Sequence, residues 1–204
     1  ENPPVERWHF GGEARELIFH LNNDYVRSER LIPMELLGDV SYDRERYAFV
    51  IRAGLNGKGE ENVGFQAASA YGLYRISDKW IARAGRFLPG YGLNNSMHFI
   101  GTRGDLGFGF DDQRQGLEFT YAEERFGAMA AAFTARDENV GQSAEMAQVQ
   151  FSPTQNSRFA LNYWHEDNVR DLYGIWGITP IFGPLFYTGD WNWQRELEPK
   201  ICGY

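Results

Sequence analysis

Four histidines and one pair of adjacent aspartates are the residues that could do metal or acid–base chemistry. The histidines show no His-x-x-x-His spacing and the chain has a single cysteine, so a zinc site is not predicted. "FDDQ" offers hard oxygens for Ca²⁺, but the spaced ligands of an EF-hand loop are missing. A serine could form a hydrolase dyad with His98 or His165, yet no serine has a recognisable nucleophile context. "GFGF" lacks the lysine and helix of a phosphate-binding loop. We therefore expect no enzyme, no catalytic residue, no metal and no cofactor. The histidines are His9, His20, His98 and His165.

Charged side chains of both signs fall on one side of segments that alternate between apolar and polar residues. Such a set could select solutes through its electric field. It could equally form ion pairs that stiffen a protein wall. As candidate pore-lining residues we take Glu35, Asp39, Arg52, Arg83, Glu118, Arg158 and Asp190.

A second charged set lies in the longest connection, residues 89–113, and at its end. A connection of this length is usually functional or disordered. It could fold inward as a constriction loop, or it could stay outside as a solvated loop, and the glycines of "RGDLGFGF" suit both paths. The constriction-loop candidates are Arg103, Asp105, Asp111, Asp112 and Arg114.

The elements that carry these residues have a period of two, and sustained helical periodicity is absent. In one segment, for example, Phe159, Leu161 and Tyr163 alternate with polar or small residues. The same pattern predicts strands at 15–25, 32–42, 47–55, 63–76, 80–88, 114–122, 126–135, 144–152, 157–165, 171–179 and 185–193.

Short turns alternate along the chain with longer polar connections. The turns are "DRER", "SDK", "EER", "PTQN" and "PIFGP"; the longer connections are "SERL", "NGKGEEN", residues 89–113, "RDENVGQS" and "EDNVR". Long connections at one end only are typical of transmembrane β-barrels, and strands of about ten residues can cross the hydrocarbon layer. The aromatic residues of interfacial girdles would include Trp80, Tyr121, Tyr163, Trp191 and Trp193. We predict an all-β, antiparallel transmembrane β-barrel of meander topology, with a soluble β-sandwich as the alternative.

The number of predicted strands raises a question of completeness. Bacterial single-chain barrels use an even number of strands and place both termini in the periplasm. With eleven predicted strands, either "VERWHF" at 5–10 adds a twelfth or the barrel is incomplete in this sequence; we favour the second. We expect residues 1–14 to be a lead-in segment and residues 15–204 to be the barrel domain.

The composition limits the partners of the chain. Its formal net charge of −8 argues against nucleic acid, because phosphate binding needs a basic surface. No apolar run of about 18 residues is present, so a transmembrane helix is not predicted. Lysine occurs only at Lys58, Lys79 and Lys200, which is unusual for a soluble surface.

The stretch "RAGRFLPGYGL", followed by "HFIGTRGDLGFGFDDQRQGLEFTY", resembles a strand, outer loop and returning strand of porin-like outer-membrane proteins of Gram-negative bacteria. In the phosphate-selective porin type, an Arg-x-Gly-Arg/Gln-Phe strand ends at a proline and a Tyr/Phe-Gly. The resemblance covers Lys79 to Tyr121 and implies a water-filled channel, passive transport and an outer-membrane location. Anion-selective members line their pores with lysines, so the scarcity of lysine here argues against phosphate selectivity.

These patterns together give an expected function. The chain should form a porin-like channel in the outer membrane of a Gram-negative bacterium, in contact with lipid and lipopolysaccharide. Small hydrophilic solutes would diffuse through it, selected by pore size and by the charges of the wall and loop. The alternative is a non-conducting structural barrel in an outer-membrane assembly. A homo-oligomer or a larger membrane-protein assembly would fit either function.

Overall fold

The computed structural model describes residues 6–22, 27–57, 63–92, 113–134, 143–182 and 185–197. Side chains are described within these ranges except at 15–22, 27–35, 56–57 and 63–68. The described chain contains no helix and forms eleven strands in one sheet, in which each strand is the neighbour of the next one in sequence. This confirms the predicted all-β fold and its antiparallel meander order.

The alternating patterns of the sequence account for most strand positions. The strands are β1 (Glu6–Asn22), β2 (Arg27–Arg44), β3 (Tyr47–Gly57), β4 (Val63–Arg75), β5 (Trp80–Phe87), β6 (Arg114–Ala122), β7 (Phe126–Phe133), β8 (Ala144–Thr154), β9 (Ser157–Glu166), β10 (Arg170–Phe182) and β11 (Leu185–Glu196).

Two predicted connections differ from the structure. "SERL" lies inside β2 and is not a loop, because β1 and β2 pair along nearly their whole length, with one irregularity between Arg15 and Glu16. β1 accordingly begins at Glu6, within a segment for which no strand was firmly predicted. "EDNVR" is a tight turn between β9 and β10, where Asn168 adopts a left-handed φ of 55°. Asparagine tolerates this conformation, so the chain reverses within a few residues.

The chain divides into two compact units, Glu1–Gly72 and Leu73–Tyr204. In the first unit, one face of β1–β3 is apolar and exposed, with Phe10, Val40 and Ile51 aligned across the three strands. On the opposite face Arg52 lies across from Asp39 and donates from Nη2 to the Glu13 carboxylate at 3.1 Å.

The second unit has the same two-faced construction over more strands. On its exposed face one row of apolar side chains crosses β8–β11 and consists of Val149, Leu161, Ile175 and Trp191. The most exposed member of this row is Leu161, at 59%. The other side of the sheet, the buried face, carries fully covered side chains such as Trp164. Large apolar side chains are therefore exposed on one face, and the other face covers apolar side chains together with several charged and amide groups.

Gly54→Ala should destabilise the first unit, because a Cβ there would lie 1.9 Å from the Leu36 carbonyl oxygen. Overpacking against backbone should cost about 1–3 kcal/mol, measured from the denaturant midpoint. Gly38→Ala is the matched control, since its added Cβ meets nothing closer than 3.9 Å. The control should change stability by less than about 0.5 kcal/mol. Equal losses in both variants would contradict the packing described here.

Candidate functional site

The buried face of the second unit brings together the polar groups with the greatest functional potential. Strand side chains alternate between faces, and the register aligns those of one face into rows. One such row runs from Met129 on β7 through Gln148, Asn162 and Gly174 to Asn192 on β11. We call Gln148, Asn162 and Asn192 the amide row.

Hydrogen bonds connect the members of the amide row to their neighbours. Gln148 Nε2 donates to Asn162 Oδ1 at 2.6 Å, joining β8 to β9. Asn192 Nδ2 donates to the Asp190 carboxylate at 2.9 Å, within β11. The first bond joins two of the amides directly, whereas Gly174 separates Asn162 from Asn192 in the register.

The segment that follows β5, Pro89–Gly92, lies across the amide row, and we call it the strap. The Tyr91 hydroxyl donates to Asn192 Oδ1 at 3.0 Å, and the Gly90 carbonyl accepts from Gln148 Nε2 at 3.3 Å. Tyr91 is only 1% exposed. Burial, reinforced by the nearby Asp190 carboxylate, raises the pKa of the Tyr91 phenol, so its hydroxyl stays protonated and donates.

The sequence explains why the strand ends and turns inward here. Pro89 has no N–H to donate to a neighbouring strand, so the ladder stops. Gly92 has a φ of 71°, a conformation that glycine adopts without strain. In β10, which the strap crosses, a Cβ at Gly174 would lie 2.8 Å from the Tyr91 hydroxyl oxygen. Only glycine therefore leaves room for the docked tyrosine ring.

The position of the strap also shows that the second unit is strongly curved. β5 and β11 are six positions apart in the sheet order, which would separate them by about 29 Å in a flat sheet. Tyr91 is four residues beyond the last residue of β5, a reach of about 14 Å before its side chain is added. Because Tyr91 still contacts Asn192, the strands of this unit must bend around the strap.

A buried ion cluster closes the same face near the ends of β6, β9 and β10. Arg114 Nη2 donates to Glu166 Oε1 at 2.7 Å, and Arg170 Nε donates to Glu166 Oε2 at 3.1 Å. The Arg114 guanidinium carbon lies 5.0 Å from the centre of the Trp164 ring. This end of the face is therefore packed with paired charges and aromatic rings.

Of the predicted pore-lining residues in the second unit, two form a direct pair. Arg83 lies opposite Glu118 in the register, and Arg83 Nη2 donates to Glu118 Oε2 at 2.5 Å. Asp190 lies beside the amide row, while Arg158 is exposed on β9 near the tight turn that precedes this strand. The structure thus brings Arg83, Glu118 and Asp190 to the buried face but leaves Arg158 apart from them.

The remaining predicted positions are placed less completely. Asp39 and Arg52 lie opposite each other in the first unit, and Glu35 lies in β2 at a position where only the backbone is described. Among the loop candidates, Arg114 is the first residue of β6 and belongs to the buried ion cluster. The candidates that lie outside the described residues are Arg103, Asp105, Asp111 and Asp112.

Sequence reasoning missed the amide row, Tyr91 and the Glu166–Arg170 pair. Glu166 and Arg170 were assigned to a connection, whereas Glu166 ends β9 and Arg170 begins β10. The alternation of side chains between the two faces could have located Glu166. If the predicted strand is continued by one residue, Glu166 lies on the same face as Asn162 and Trp164.

A second polar cluster lies on the exposed face, at the ends of β9–β11 where the ion cluster also lies. Asp171 is 2% exposed and accepts from Arg195 Nε at 3.1 Å and from the Tyr163 hydroxyl at 3.3 Å. His165 Nδ1 is 2.7 Å from Asp171 Oδ1. The polar groups of this face therefore gather at the end of the strands and leave the apolar row uninterrupted.

No protein-family model and no curated protein matches this chain. Among the described residues there is no helix that could cross a membrane. The same residues hold no group of three or more His, Cys, Asp or Glu side chains placed to bind a metal ion. The geometry of the two faces is therefore the main basis for a functional proposal.

Glu166→Gln should destabilise the second unit strongly, because it leaves Arg114 and Arg170 buried without their carboxylate. Breaking a buried pair in this way costs about 3–5 kcal/mol, measured from the denaturant midpoint. Glu123→Gln is the control, since it removes only the exposed ion pair with Lys79. A loss for Glu166→Gln no greater than for this control would show that the cluster does not stabilise the fold.

Proposed function

We propose that the chain forms the wall of a transmembrane β-barrel in the outer membrane of a Gram-negative bacterium. In this proposal it serves as a porin-like channel through which small hydrophilic solutes diffuse passively. The observation that carries the proposal is the distribution of side chains between the two faces of the sheet. One face exposes a continuous row of large apolar side chains, and the other covers ion pairs and amides together with apolar rings. A soluble sheet usually exposes its polar face instead.

The exposed face is suited to contact with lipid chains. The row Val149, Leu161, Ile175 and Trp191 crosses four adjacent strands, and further exposed apolar residues continue it. Contiguous apolar patches of this kind mark protein or membrane contacts, because water solvates them poorly. The further residues in the second unit include Leu117, Phe119, Phe151, Phe159, Tyr163 and Tyr173.

Aromatic and charged residues near the strand ends match the two interfaces of a bilayer. Near the turn between β6 and β7, Tyr121 contacts both Trp80 and Phe126, with ring centres 5.0 and 6.3 Å apart. At the opposite ends of the strands, Tyr163 contacts Tyr173 at 5.2 Å beside the Asp171 cluster. Aromatic girdles in membrane barrels occupy these two levels.

The buried polar face would then line the channel. The strap would narrow the lumen, so that solutes would be selected first by their size. The Arg83–Glu118 pair and Asp190 would set the local field, with both signs of charge present. Lipid and lipopolysaccharide would contact the outer surface.

A non-conducting structural barrel is the second candidate. It is favoured by the dry packing near the ion cluster, where Phe87, Tyr91, Trp164 and Leu172 have essentially no exposed surface. A barrel filled at this level would anchor or support an assembly without passing solute. Conductance across a planar bilayer distinguishes the two candidate functions, because only the open channel passes ions.

Purified chain should require detergent and should migrate differently on a detergent gel before and after boiling. In planar bilayers, the folded species should produce discrete conductance steps. Detergent-free monodisperse protein without a gel shift would contradict the membrane barrel. A gel shift without conductance would instead support the structural barrel.

Leu161→Arg should impair insertion, because it places a charge in the middle of the exposed apolar row. In a bilayer this costs about 2–4 kcal/mol, whereas an exposed substitution in water changes stability by less than about 0.5 kcal/mol. Gln155→Arg, in the turn between β8 and β9, adds the same charge outside the hydrocarbon layer. We expect the folded yield in liposomes to fall for Leu161→Arg alone, and equal yields would argue against lipid contact.

A further inference from the structure

Several side-chain donors on the buried face have no partner among the described contacts, including Nε and Nη1 of Arg114 in the ion cluster, and two of these donors are neutral groups close to the strap. The two neutral donors are Asn162 Nδ2 and Trp176 Nε1, whose residues are 5% and 6% exposed. A buried donor without an acceptor costs free energy, because it has lost its hydrogen bonds to water. Such groups are uncommon in folded proteins, and each one calls for a physical explanation.

The two donors are close to each other and to the strap. Asn162 lies opposite Gly174, and Trp176 is two residues farther along β10 on the same face. This is a diagonal pair on adjacent strands, within reach of long side chains. Gln148 and Asn192 flank the pair on β8 and β11, so the donors belong to one continuous patch.

The strap already satisfies the outer members of this patch. It presents a hydroxyl donor to Asn192 through Tyr91 and an acceptor oxygen to Gln148 through Gly90. A solute hydroxyl group combines both functions, since it can donate one hydrogen bond and accept two. The strap therefore presents the amide row with the same hydrogen-bond donor and acceptor that the hydroxyl groups of a solute would present.

Charge indicates the class of solute. On this face Arg83 pairs with Glu118, and Glu166 is shared between Arg114 and Arg170. The patch around Asn162 and Trp176 instead consists of amides, an indole and the Asp190 carboxylate, which lies opposite Trp176 and accepts from Asn192. A carboxylate at this place repels an anionic solute. The unsatisfied donors of the patch favour a neutral acceptor such as a hydroxyl oxygen.

We propose that the amide row and Trp176 form a binding subsite for an uncharged, polyhydroxylated solute such as a sugar, and that the strap occupies this subsite in the present structure. The inference rests on the proposed channel, for which it names the class of solute. A solute must displace the strap before it contacts Asn162 and Trp176. Its apparent affinity is therefore lowered by the fraction of molecules in which the strap is docked.

Titration calorimetry on the detergent-solubilised full chain tests this subsite, with sucrose as the probe and sodium phosphate as the charged comparison. Sucrose should bind saturably and phosphate should not. Tyr91→Ala should tighten sucrose binding, about tenfold if the strap is docked nine-tenths of the time. Asn162→Leu should weaken it about tenfold, because an isosteric apolar side chain removes the amide hydrogen bonds. Leu161→Ala, on the opposite face of the same strand, is the control and should leave the affinity unchanged.

The outcomes separate this inference from the proposed channel. Absence of sucrose binding in both the folded wild type and Tyr91→Ala overturns the subsite, even if the chain conducts ions. Unchanged affinity in Tyr91→Ala overturns the competition by the strap, and unchanged affinity in Asn162→Leu overturns the role of the amide row. Tighter binding of phosphate overturns the uncharged class. Sucrose binding without bilayer conductance supports the subsite and rejects the open channel.

Discussion

The two-sidedness of a β-strand is the constraint on which the rest of this structure depends. Hydrogen bonding within the sheet fixes successive side chains on opposite faces, so each strand must meet two environments at once. In this chain the exposed environment receives Val149, Leu161 and Ile175, while the buried one receives Asn162 and Glu166. Polar groups on the covered face need partners within the protein, and the pairing of these groups shapes the buried face alongside its apolar packing.

The strap connects this constraint to the shape of the second unit. Its docking joins the end of β5 to β11 through Tyr91 and Asn192, across strands that a flat sheet would keep far apart. Gly174 makes the contact sterically possible, since any side chain there would occupy the place of the Tyr91 hydroxyl. Docking of the strap therefore depends on three features together. These are the curvature of the sheet, the glycine on β10 and the inward turn after Pro89.

The ion cluster and the amide row lie in different parts of the buried face. The Arg114, Glu166 and Arg170 cluster has strong internal pairing, so its energetic role is mainly to compensate buried charge. The amide row has mainly neutral partners, among them the Tyr91 hydroxyl and the Gly90 carbonyl of the strap. In the subsite that we propose, the charged end stays fixed while the neutral part exchanges the strap for a solute hydroxyl.

The sequence by itself determined the all-β fold, eleven strands and the faces of Arg83 and Glu118, because alternation with period two is a local property that any strand displays. It did not reveal that β1 begins at Glu6, since the long ladder with β2 depends on pairing rather than on local pattern. Only the tertiary structure placed Tyr91 on the amide row and Glu166 between two arginines. The Arg114–Glu166 and Tyr91–Asn192 contacts join residues 52 and 101 positions apart, and their geometry follows from register and curvature. No short window of sequence contains that information.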